Sequence, residues 1–522
     1  MYILAIDQGT SSTKTLIFDA QGKAVAKGSE PLKTMYLKDG FVEQNPEDIY
    51  QNVLKSAKKC LKDFKNKGFD IADIKTCGIS NQRETFVIWD KNGKPLHNAI
   101  VWQCKRSITI CERLKKEGYE NEVKEKTGLI IDPYFSGTKL LWLLENDSVK
   151  NFGLEISDFD ERLPKSEIPN PKWNTPSVSD AILKGEACFG TIDTWLLYKL
   201  TNGKSYFTDY TNASRTLFFN LKTLDWDKDL LKKWGLETLN LPELKPSAAH
   251  FGESNFDGIF KHPLSISAMI GDSHAAAFGE GCYEAGIAKA TMGTGCSVLM
   301  NIGDTPKTSE NGILTTICWS MEGRVDYAFE GAIVSCGSTI EWLKNEMGLF
   351  KDSAQTQAMA ESVNDNNGVY LIPAFSGLGA PHWDMNRKAS ILGLTFDCHK
   401  NHIVRAALES IPYQIKDVVV AMEQDSNIAL TALNVDGGIT SNAFIMQFLT
   451  DLLDIPVSKI GISDVSALGA AYLAGLQTKV YKDLDTLKNL NERKTLHVIP
   501  TNQAMIRQYY INWKKVLNEV GG

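Results

Sequence analysis

The sequence predicts an α/β protein of two domains, and three observations support this prediction. The chain has 522 residues, more than one hydrophobic core usually serves, so two or more domains are expected. Strand-like and helix-like segments alternate along its first part, which is typical of α/β domains. A strand, a turn rich in glycine and hydroxyl groups, and a return strand occur twice, at residues 3–18 and 287–301. Either the two hairpins are related units or they are unrelated turns, and spacing alone favours unrelated turns.

Local patterns indicate the first elements of the chain. Residues 3–6 and 14–18 are strand-like, and the polar turn 7–13 joins them. Residues 46–65 carry apolar side chains at helical spacing, and Asn45 is a favourable N-cap for that helix. These segments predict a hairpin followed by a helix.

The regular pattern is lost between about residues 146 and 178, where charged residues and prolines accumulate. We interpret this stretch as an inserted surface segment, because ordered patterns resume at Cys188. A glycine-containing stretch near residues 279–286 is the better candidate for a domain boundary. The sequence therefore predicts an N-terminal domain at 1–281 and a C-terminal domain at 282–522.

Composition and charge exclude several classes of function. The formal net charge of −7 argues against a surface for nucleic acid or anionic membranes. The ten cysteines lack the paired spacing of zinc or disulfide sites, which indicates reduced thiols. No segment reaches the roughly 20 apolar residues that cross a bilayer, and the N-terminal apolar run is short for a signal peptide. We expect a soluble, cytoplasmic protein.

The turn of the first hairpin carries groups that suit phosphate oxygens. Gly9 lets the backbone approach a ligand closely, and Asp7 could hold Mg²⁺ through water. Hydroxyl donors and one ammonium group follow in the same turn, on Thr10, Ser11, Ser12 and Lys14. The alternative is a hydroxyl-rich surface turn, and the segment alone does not decide between the two.

Two other polar segments follow strand-like runs. The guanidinium group of Arg83 and the carboxylate of Glu84 could bind adjacent hydroxyls, although a solvated loop is the simpler interpretation. Asp272 lies at the predicted N-terminus of an alanine-rich helix, where it is either a cap or a carboxylate able to accept a hydroxyl proton. Periodicity alone places Trp102 in the core.

A double glycine ends a later strand. Gly437 and Gly438 precede a helix start near Asn442, and glycines there would let a flat ligand such as adenine lie against the backbone. A tight strand-to-helix turn explains them equally well. The histidines are dispersed without metal-ligand spacing, so no metal is assigned to them.

Taken together, these segments resemble the FGGY carbohydrate kinase family. Residues 134–146 look like its first signature, and residues 389–409 look like its second. Shorter runs are similar to the members that phosphorylate glycerol, namely 80–85, 98–103, 131–136 and 209–215. The similarity extends from Asp7 to about Gly475, apart from the insert.

The resemblance implies a fold and an activity. The fold would be two ribonuclease-H-like domains of the actin/hexokinase type, with the active site in the cleft between them. The activity would be transfer of phosphate from ATP, with Mg²⁺, to a terminal hydroxyl of glycerol, giving glycerol 3-phosphate and ADP. The family also implies a homodimer or homotetramer.

The resemblance also assigns site residues. Five fall on polyol-contacting positions, of which the last is the general base: Arg83, Glu84, Trp102, Tyr134 and Asp272. Nine fall on nucleotide-contacting positions: Thr10, Ser11, Ser12, Lys14, Thr294, Gly337, Glu341, Gly438 and Asn442.

Several positions depart from the family pattern. Lys14 replaces an arginine, Glu341 replaces a glutamine, and two serines replace larger polyol-lining residues: Ser273 a glutamine and Ser297 a phenylalanine. The two serines leave room for a larger polyol such as erythritol, or for a ketose, as the alternative substrate. A catalytically inactive, nucleotide-dependent binding protein of the same fold is the second alternative. The loop 256–263 lacks the segment found in relatives inhibited by sugar bisphosphates, so no such inhibition is expected.

Overall fold

The structure is a computed structural model in which a large part of the chain can be described. The described residues are 1–148, 177–461, 464–492, 495–501 and 503–519. The predicted insert at about 146–178 lies, apart from its two ends, outside the described residues.

The chain divides into two units, each described here by itself. The first comprises Met1–Asp272, Trp319–Gly323 and Ala470–Tyr481, and the second comprises Ser273–Cys318, Arg324–Gly469 and Lys482–Gly522. Both contain strands and helices, which confirms the predicted α/β class. The domain boundary at residue 281 stays a prediction.

The first unit is built on a mixed sheet. Its neighbouring strands are, in order, Ala248–Ser254, Leu264–Gly271, Ile74–Asn81, Tyr2–Gln8, Ser12–Asp19 and Ala24–Pro31. Tyr2–Gln8 pairs antiparallel with Ser12–Asp19, as the sequence predicts, and parallel with Ile74–Asn81. Ile74–Asn81 also runs parallel to Leu264–Gly271. Three parallel strands therefore end at one edge of this sheet.

Smaller sheets and helices complete the first unit. A second sheet contains Met35–Tyr36, Val42–Gln44, Ala99–Ile100, Phe86–Asp90 and Ala187–Thr191, and two strand pairs join Phe207–Asp209 to Glu243–Lys245 and Phe219–Asn220 to Asp225–Trp226. The α-helices are Pro46–Asn66, Ile108–Lys116, Glu120–Thr127, Ser136–Ser148, Val178–Leu183, Ile192–Leu200, Tyr210–Ala213 and Lys228–Lys233, and the 3₁₀ helices are Lys38–Gly40 and Ile71–Asp73.

The first long helix shows why these elements form. Asn45 caps Pro46–Asn66 by accepting the amide hydrogen of Glu47 at 2.9 Å, and proline is favourable at the first helical position. The predicted helix is thereby confirmed. Its apolar face, including Ile49 and Phe64, is buried in the core of the unit.

The second unit repeats part of this topology. Ile287–Met292 pairs antiparallel with Cys296–Gly303 and parallel with Ala432–Asp436, just as the first hairpin pairs with its own parallel neighbour. The other strands of this unit are Thr495–Val498, Val457–Ile460 and Arg324–Ile333, and Tyr370–Ile372 pairs separately with Ser390–Leu392. Strand Leu314–Met321 has residues assigned to both units. The shared topology supports the interpretation that the two hairpins are related units.

The second unit also contains several α-helices. They are Gly337–Asn345, Gln355–Glu361, Lys400–Ser426, Ala443–Leu453, Leu484–Glu492 and Gln503–Glu519, with a 3₁₀ helix at Gly438–Ser441. Two further helices, Asp272–Gly279 and Val465–Gln477, have residues assigned to both units. None of the helices in the described residues is long and apolar enough to cross a membrane.

A buried carboxylate anchors the last helix of the second unit. Asp417 is 3% exposed and accepts hydrogen bonds from the Tyr510 hydroxyl at 2.6 Å and the Trp513 indole at 3.2 Å. Lys514 Nζ and a ring nitrogen of His382 lie 3.2 and 3.1 Å from its oxygens. Three of these groups, on Tyr510, Trp513 and Lys514, belong to helix Gln503–Glu519 and fix it against helix Lys400–Ser426.

Candidate active site

The candidate site of the first unit lies where its three parallel strands end. Gln8, Asn81 and Gly271 are adjacent in register. Each is followed directly by a segment that the sequence analysis selected: the hydroxyl-rich turn, the Arg83–Glu84 pair, and Asp272. Ligands of open α/β sheets commonly bind beyond the carboxyl ends of the strands. The fold thus brings three segments that are distant in sequence to one edge.

Asp272 and Arg83 form an ion pair at this edge. Asp272 is the first residue of helix Asp272–Gly279, as the sequence predicts. Its Oδ1 lies 3.4 Å from Arg83 Nε, and its side chain is 40% exposed whereas that of Arg83 is 6% exposed. Arg83 also donates to the Tyr134 hydroxyl at 3.4 Å. A solvent-accessible carboxylate beside a fixed guanidinium group can accept a proton from a bound hydroxyl.

Glu84 is held much more tightly than Asp272. Its backbone has a φ of 59°, and its Oε1 accepts from Arg215 Nε at 2.5 Å with both side chains fully or nearly fully buried. The Ser136 hydroxyl donates to the Glu84 carbonyl oxygen at 2.8 Å. The Arg215 guanidinium also lies over the Tyr134 ring, 5.6 Å from its centroid. Glu84 is therefore a fixed acceptor for hydrogen bonds.

Two aromatic rings stand beside these charges. Trp102 and Tyr134 meet edge to face, with centroids 5.6 Å apart and planes at 87°, and both are half-buried. Trp102 is therefore not the core residue that periodicity favours. An apolar surface of this kind suits the carbon chain of a small polyol.

A buried lysine holds the backbone of both aromatic residues. Lys139 is 0% exposed, and its ammonium group donates to the carbonyl oxygens of Tyr134 at 2.7 Å, Pro133 at 3.1 Å and Trp102 at 3.5 Å. Burial lowers the pKa of Lys139 to about 8. Lys139 and Arg215 lie within the family-like segments 134–146 and 209–215, but the sequence alone indicates no role for either.

The hydroxyl-rich turn adjoins the same aromatic residues. Thr10 Oγ1 accepts the indole hydrogen of Trp102 at 2.9 Å, while Ser11 is exposed and Ser12 begins the return strand. Asp7 and Lys14 are cross-strand partners, and the Ser80 hydroxyl donates to Asp7 at 3.3 Å. The hydroxyls of Thr10, Ser11 and Ser12, with the carboxylate of Asp7, fit a phosphate with an associated Mg²⁺.

Within the second unit the structure brings together the two serines that depart from the family pattern. The hydroxyl oxygens of Ser273 and Ser297 are 3.4 Å apart. Ser297 also donates to Glu330 Oε1 at 3.3 Å, and Glu330 is 3% exposed. The sequence alone does not indicate Glu330, because an isolated acid within a strand gives no signal of its own.

The predicted nucleotide-contacting residues of the second unit fall around one hairpin turn. The amide of Gly337 donates to the Gly293 carbonyl at 2.9 Å, and the amide of Ser338 donates to that of Thr294 at 3.1 Å. Gly437 has a φ of 96°, and a Cβ there would lie 2.2 Å from the Met292 carbonyl oxygen. The fold thereby places Thr294 and Gly337 next to each other. The close approach of Gly437 to Met292, just before the turn, brings the double glycine to the same place.

The remaining predicted positions flank this group. A Cβ on Gly438 would meet nothing within 4 Å, so its face is open to a ligand. Asn442 caps helix Ala443–Leu453 by accepting from the Ile445 amide at 3.2 Å. Glu341 is exposed and pairs with Lys344 at 2.5 Å, so its carboxylate is already engaged on its own helix.

Comparison with known proteins gives matches along nearly the whole chain. Residues 2–153 and 171–279 match the N-terminal domain, and residues 288–478 the C-terminal domain, of the FGGY family of carbohydrate kinases. The glycerol kinase of Thermoanaerobacter sp. (strain X514) is 43% identical over 518 residues, covering 99% of this chain and 98% of that protein. Glycerol kinase 2 of Thermotoga maritima is 41% identical, with the same coverage.

Solved structures match as well. A crystal structure of Plasmodium falciparum glycerol kinase with ADP has a TM-score of 0.90 and 34% identity, covering 100% of this chain and 98% of that one. A ligand-bound xylulose kinase from Lactobacillus acidophilus has a TM-score of 0.84 at 21% identity, covering 100% and 98%. The match to the xylulose kinase concerns the fold alone.

Proposed function

The chain belongs to the FGGY family of carbohydrate kinases, and we propose that it transfers the γ-phosphoryl group of ATP to a terminal hydroxyl of glycerol. The products are glycerol 3-phosphate and ADP. Relatives named glycerol kinase, one of them solved with ADP, support this proposal. The observation that carries it is the pairing of Asp272 with Arg83, beside Tyr134, at the end of three parallel strands.

In this proposal the first unit binds and activates the acceptor. Arg83 donates to one glycerol hydroxyl and Glu84 accepts from another, while Trp102 and Tyr134 pack against the carbon chain. The terminal hydroxyl oxygen forms a bond to the γ-phosphorus as the bond from phosphorus to the β,γ-bridging oxygen breaks. Asp272 takes the hydroxyl proton, and ADP leaves with the bridging oxygen.

The proposed phosphate-binding groups of the first unit lie in its hairpin turn and at the start of the return strand. Thr10, Ser11, Ser12 and Lys14 would donate to phosphate oxygens, with Asp7 as a water-mediated ligand of Mg²⁺. When bound, Mg²⁺ neutralises charge on the transferred group. In the second unit, the predicted nucleotide contacts are Thr294, Gly337, Glu341, Gly438 and Asn442.

Replacing Asp272 by Asn tests the proposed base. Because general-base catalysis typically contributes about 10²–10⁴-fold, glycerol-dependent ADP release should fall by at least about 100-fold. Calorimetric ATP affinity should stay within about threefold, since the amide keeps the shape of the carboxyl. Asp229→Asn, at an 81% exposed side chain of the same unit, is the matched control and should leave turnover unchanged. An Asp272→Asn variant with most of its turnover would remove Asp272 as the base.

The second candidate is a kinase for a larger polyol or a ketose. The adjacency of Ser273 and Ser297, with Glu330 in reach of Ser297, favours an acceptor with an additional hydroxyl. ADP release against three- to five-carbon polyols and ketoses, in the wild type and in a Ser273→Gln, Ser297→Phe double variant, separates the candidates. Higher kcat/KM for erythritol or a ketose than for glycerol would replace glycerol as the acceptor. Nucleotide binding without transfer to any acceptor would support the inactive binding protein instead.

We also propose that the chain works in the cytoplasm as a homodimer or homotetramer, as the family resemblance implies. Leu394 is about half exposed and Phe396 is fully exposed, next to strand Ser390–Leu392, and large exposed apolar side chains of this kind often mark protein contacts. Light scattering should give a mass of two or four chains. A Phe396→Asp variant that stays folded should dissociate, and a monomeric wild type would contradict the proposal.

A further inference from the structure

Four residues of the first unit form a closed ring of hydrogen bonds that begins and ends at Trp102. The Trp102 indole donates to Thr10 Oγ1 at 2.9 Å, and the Thr10 hydroxyl donates to Gln82 Oε1 at 3.3 Å. The Trp102 backbone amide donates to Thr85 Oγ1 at 3.2 Å, and the Thr85 hydroxyl donates to the same Gln82 oxygen at 3.0 Å. Both N–H groups of Trp102 therefore converge on one carbonyl oxygen through two threonine hydroxyls.

Gln82 is fixed at the centre of this ring. It is 1% exposed, and its Nε2 donates to Gln44 Oε1 at 2.9 Å and to Gln8 Oε1 at 3.2 Å. Gln44 Nε2 in turn donates to the Thr10 carbonyl oxygen at 2.7 Å. With both amide donors and the carbonyl engaged, Gln82 cannot rotate without losing several bonds. Its fixed amide therefore holds the hydroxyls of Thr10 and Thr85 in place.

The ring has a chemical consequence for Thr10. A hydroxyl has one proton, and the Trp102 indole already occupies an acceptor position on Thr10 Oγ1. A phosphate oxygen at the turn can therefore receive the Thr10 proton only if the hydroxyl turns away from Gln82 while still accepting from Trp102. Donation from the indole polarises the hydroxyl and makes it a better donor. Gln82 Oε1 keeps the Thr85 hydroxyl, so it is not left unsatisfied.

We propose that this ring couples the two substrates: a polyol that fixes the Trp102 ring also fixes the Thr10 hydroxyl for the phosphate, so that each substrate tightens the binding of the other. The proposal rests on the roles assigned above to Trp102 in the acceptor site and to Thr10 in the phosphate site. Gln82 and Thr85 act as positioning residues in it. Coupling of this kind is reciprocal, so glycerol must raise nucleotide affinity by the factor by which nucleotide raises glycerol affinity.

A binding experiment on the full chain tests the coupling. The Kd of MgADP is measured by calorimetry with and without saturating glycerol, and the ratio of the two values is the coupling factor. For the wild type we expect a factor of about 5 or more, within the usual range for coupled sites. Thr10→Val and Trp102→Phe each break the indole-to-hydroxyl bond and should bring the factor close to 1. The double variant should lower it no further, because both changes remove the same bond.

Two matched variants separate coupling from loss of binding. Ser11→Ala removes an exposed hydroxyl of the same turn that is not part of the ring, so it should weaken MgADP binding and keep the factor. Thr10→Ser retains the hydroxyl and should also keep it. A wild type that phosphorylates glycerol with a factor of 1, or a Thr10→Val variant with the wild-type factor, would overturn the coupling while leaving the proposed function intact. A wild type that neither binds nor phosphorylates glycerol would overturn both.

Discussion

The ion pair of Arg215 with Glu84 makes the sharpest stability prediction. Arg215 Nε and Glu84 Oε1 are 2.5 Å apart, and the two side chains are 0% and 1% exposed. Replacing Arg215 by Met keeps much of the aliphatic volume but leaves the carboxylate of Glu84 in a buried place without this partner. A buried charge deprived of its partner is costly, because water cannot replace the lost interaction.

The expected size follows from this burial. Removing one member of a buried pair typically costs about 3–5 kcal/mol, a large part of the roughly 5–15 kcal/mol that holds a domain folded. At about 2 °C or more per kcal/mol for a domain of this size, the melting temperature should fall by at least about 6 °C. Arg113→Met is the matched control: Arg113 pairs with Glu145 at 2.6 Å, but the side chains are 45% and 40% exposed. Exposed pairs contribute about 0–1 kcal/mol.

Differential scanning calorimetry of both variants checks these values, and a third variant tests the cause. Adding Glu84→Gln to Arg215→Met removes the uncompensated charge, so the double variant should melt above Arg215→Met alone. Two results would contradict this reasoning: Arg215→Met melting within about 1 °C of Arg113→Met, or the double variant melting below Arg215→Met. In either case Arg215 would not stabilise the protein by compensating a buried charge.

Three other predictions concern single groups. Burial opposes ionisation of Asp417, but hydrogen bonding from His382 holds its pKa below the ordinary value. The ionised carboxylate therefore stabilises the folded protein at neutral pH, and this stabilisation is lost as the pH falls through that lowered pKa. The difference in melting temperature between wild type and Asp417→Asn should therefore shrink from pH 7 to about pH 3. Burial lowers the pKa of Lys139 to about 8, so the KM for glycerol should increase as the pH is raised above that value. In the Lys139→Met variant the KM should not change with pH. Gly437→Ala should fail to fold, or should melt at a lower temperature than the wild type, because its Cβ would lie 2.2 Å from the Met292 carbonyl oxygen. Gly438→Ala should fold normally and raise only the KM for ATP.

Much of the fold could be predicted because its signals are local. The first hairpin, the helix with its Asn45 cap and the strand after Gly286 all follow from short-range periodicity and turn chemistry. The register that aligns Gln8, Asn81 and Gly271 is not local: it depends on parallel pairing between strands far apart in sequence. Sequence patterns indicate that such strands exist but not which residues face each other.

The site divides in the same way. Arg83, Glu84 and Asp272 could be selected because polar residues directly after strand-like runs are a recognisable pattern. Lys139 and Gln82 could not, because their importance lies in buried contacts to main-chain carbonyls and neighbouring amides that form only in the folded unit. Periodicity alone places Trp102 in the core, since a half-buried aromatic wall and a core residue have the same spacing, and only the family resemblance assigns it to the polyol site. A buried polar residue becomes informative only when its partners are known.

The geometry also distinguishes the two carboxylates at the strand ends, which local sequence patterns do not. Glu84 is buried and bonded at 2.5 Å to Arg215, whereas Asp272 is 40% exposed and 3.4 Å from Arg83. A short charge-assisted bond inside the protein fixes the carboxylate of Glu84, whereas the carboxylate of Asp272, in a looser pair, is accessible to a bound hydroxyl. A base must gain a proton in each turnover and lose it again. Of the two acids, Asp272 is thus suited to be the base, and Glu84, held in place by Arg215, to orient the acceptor.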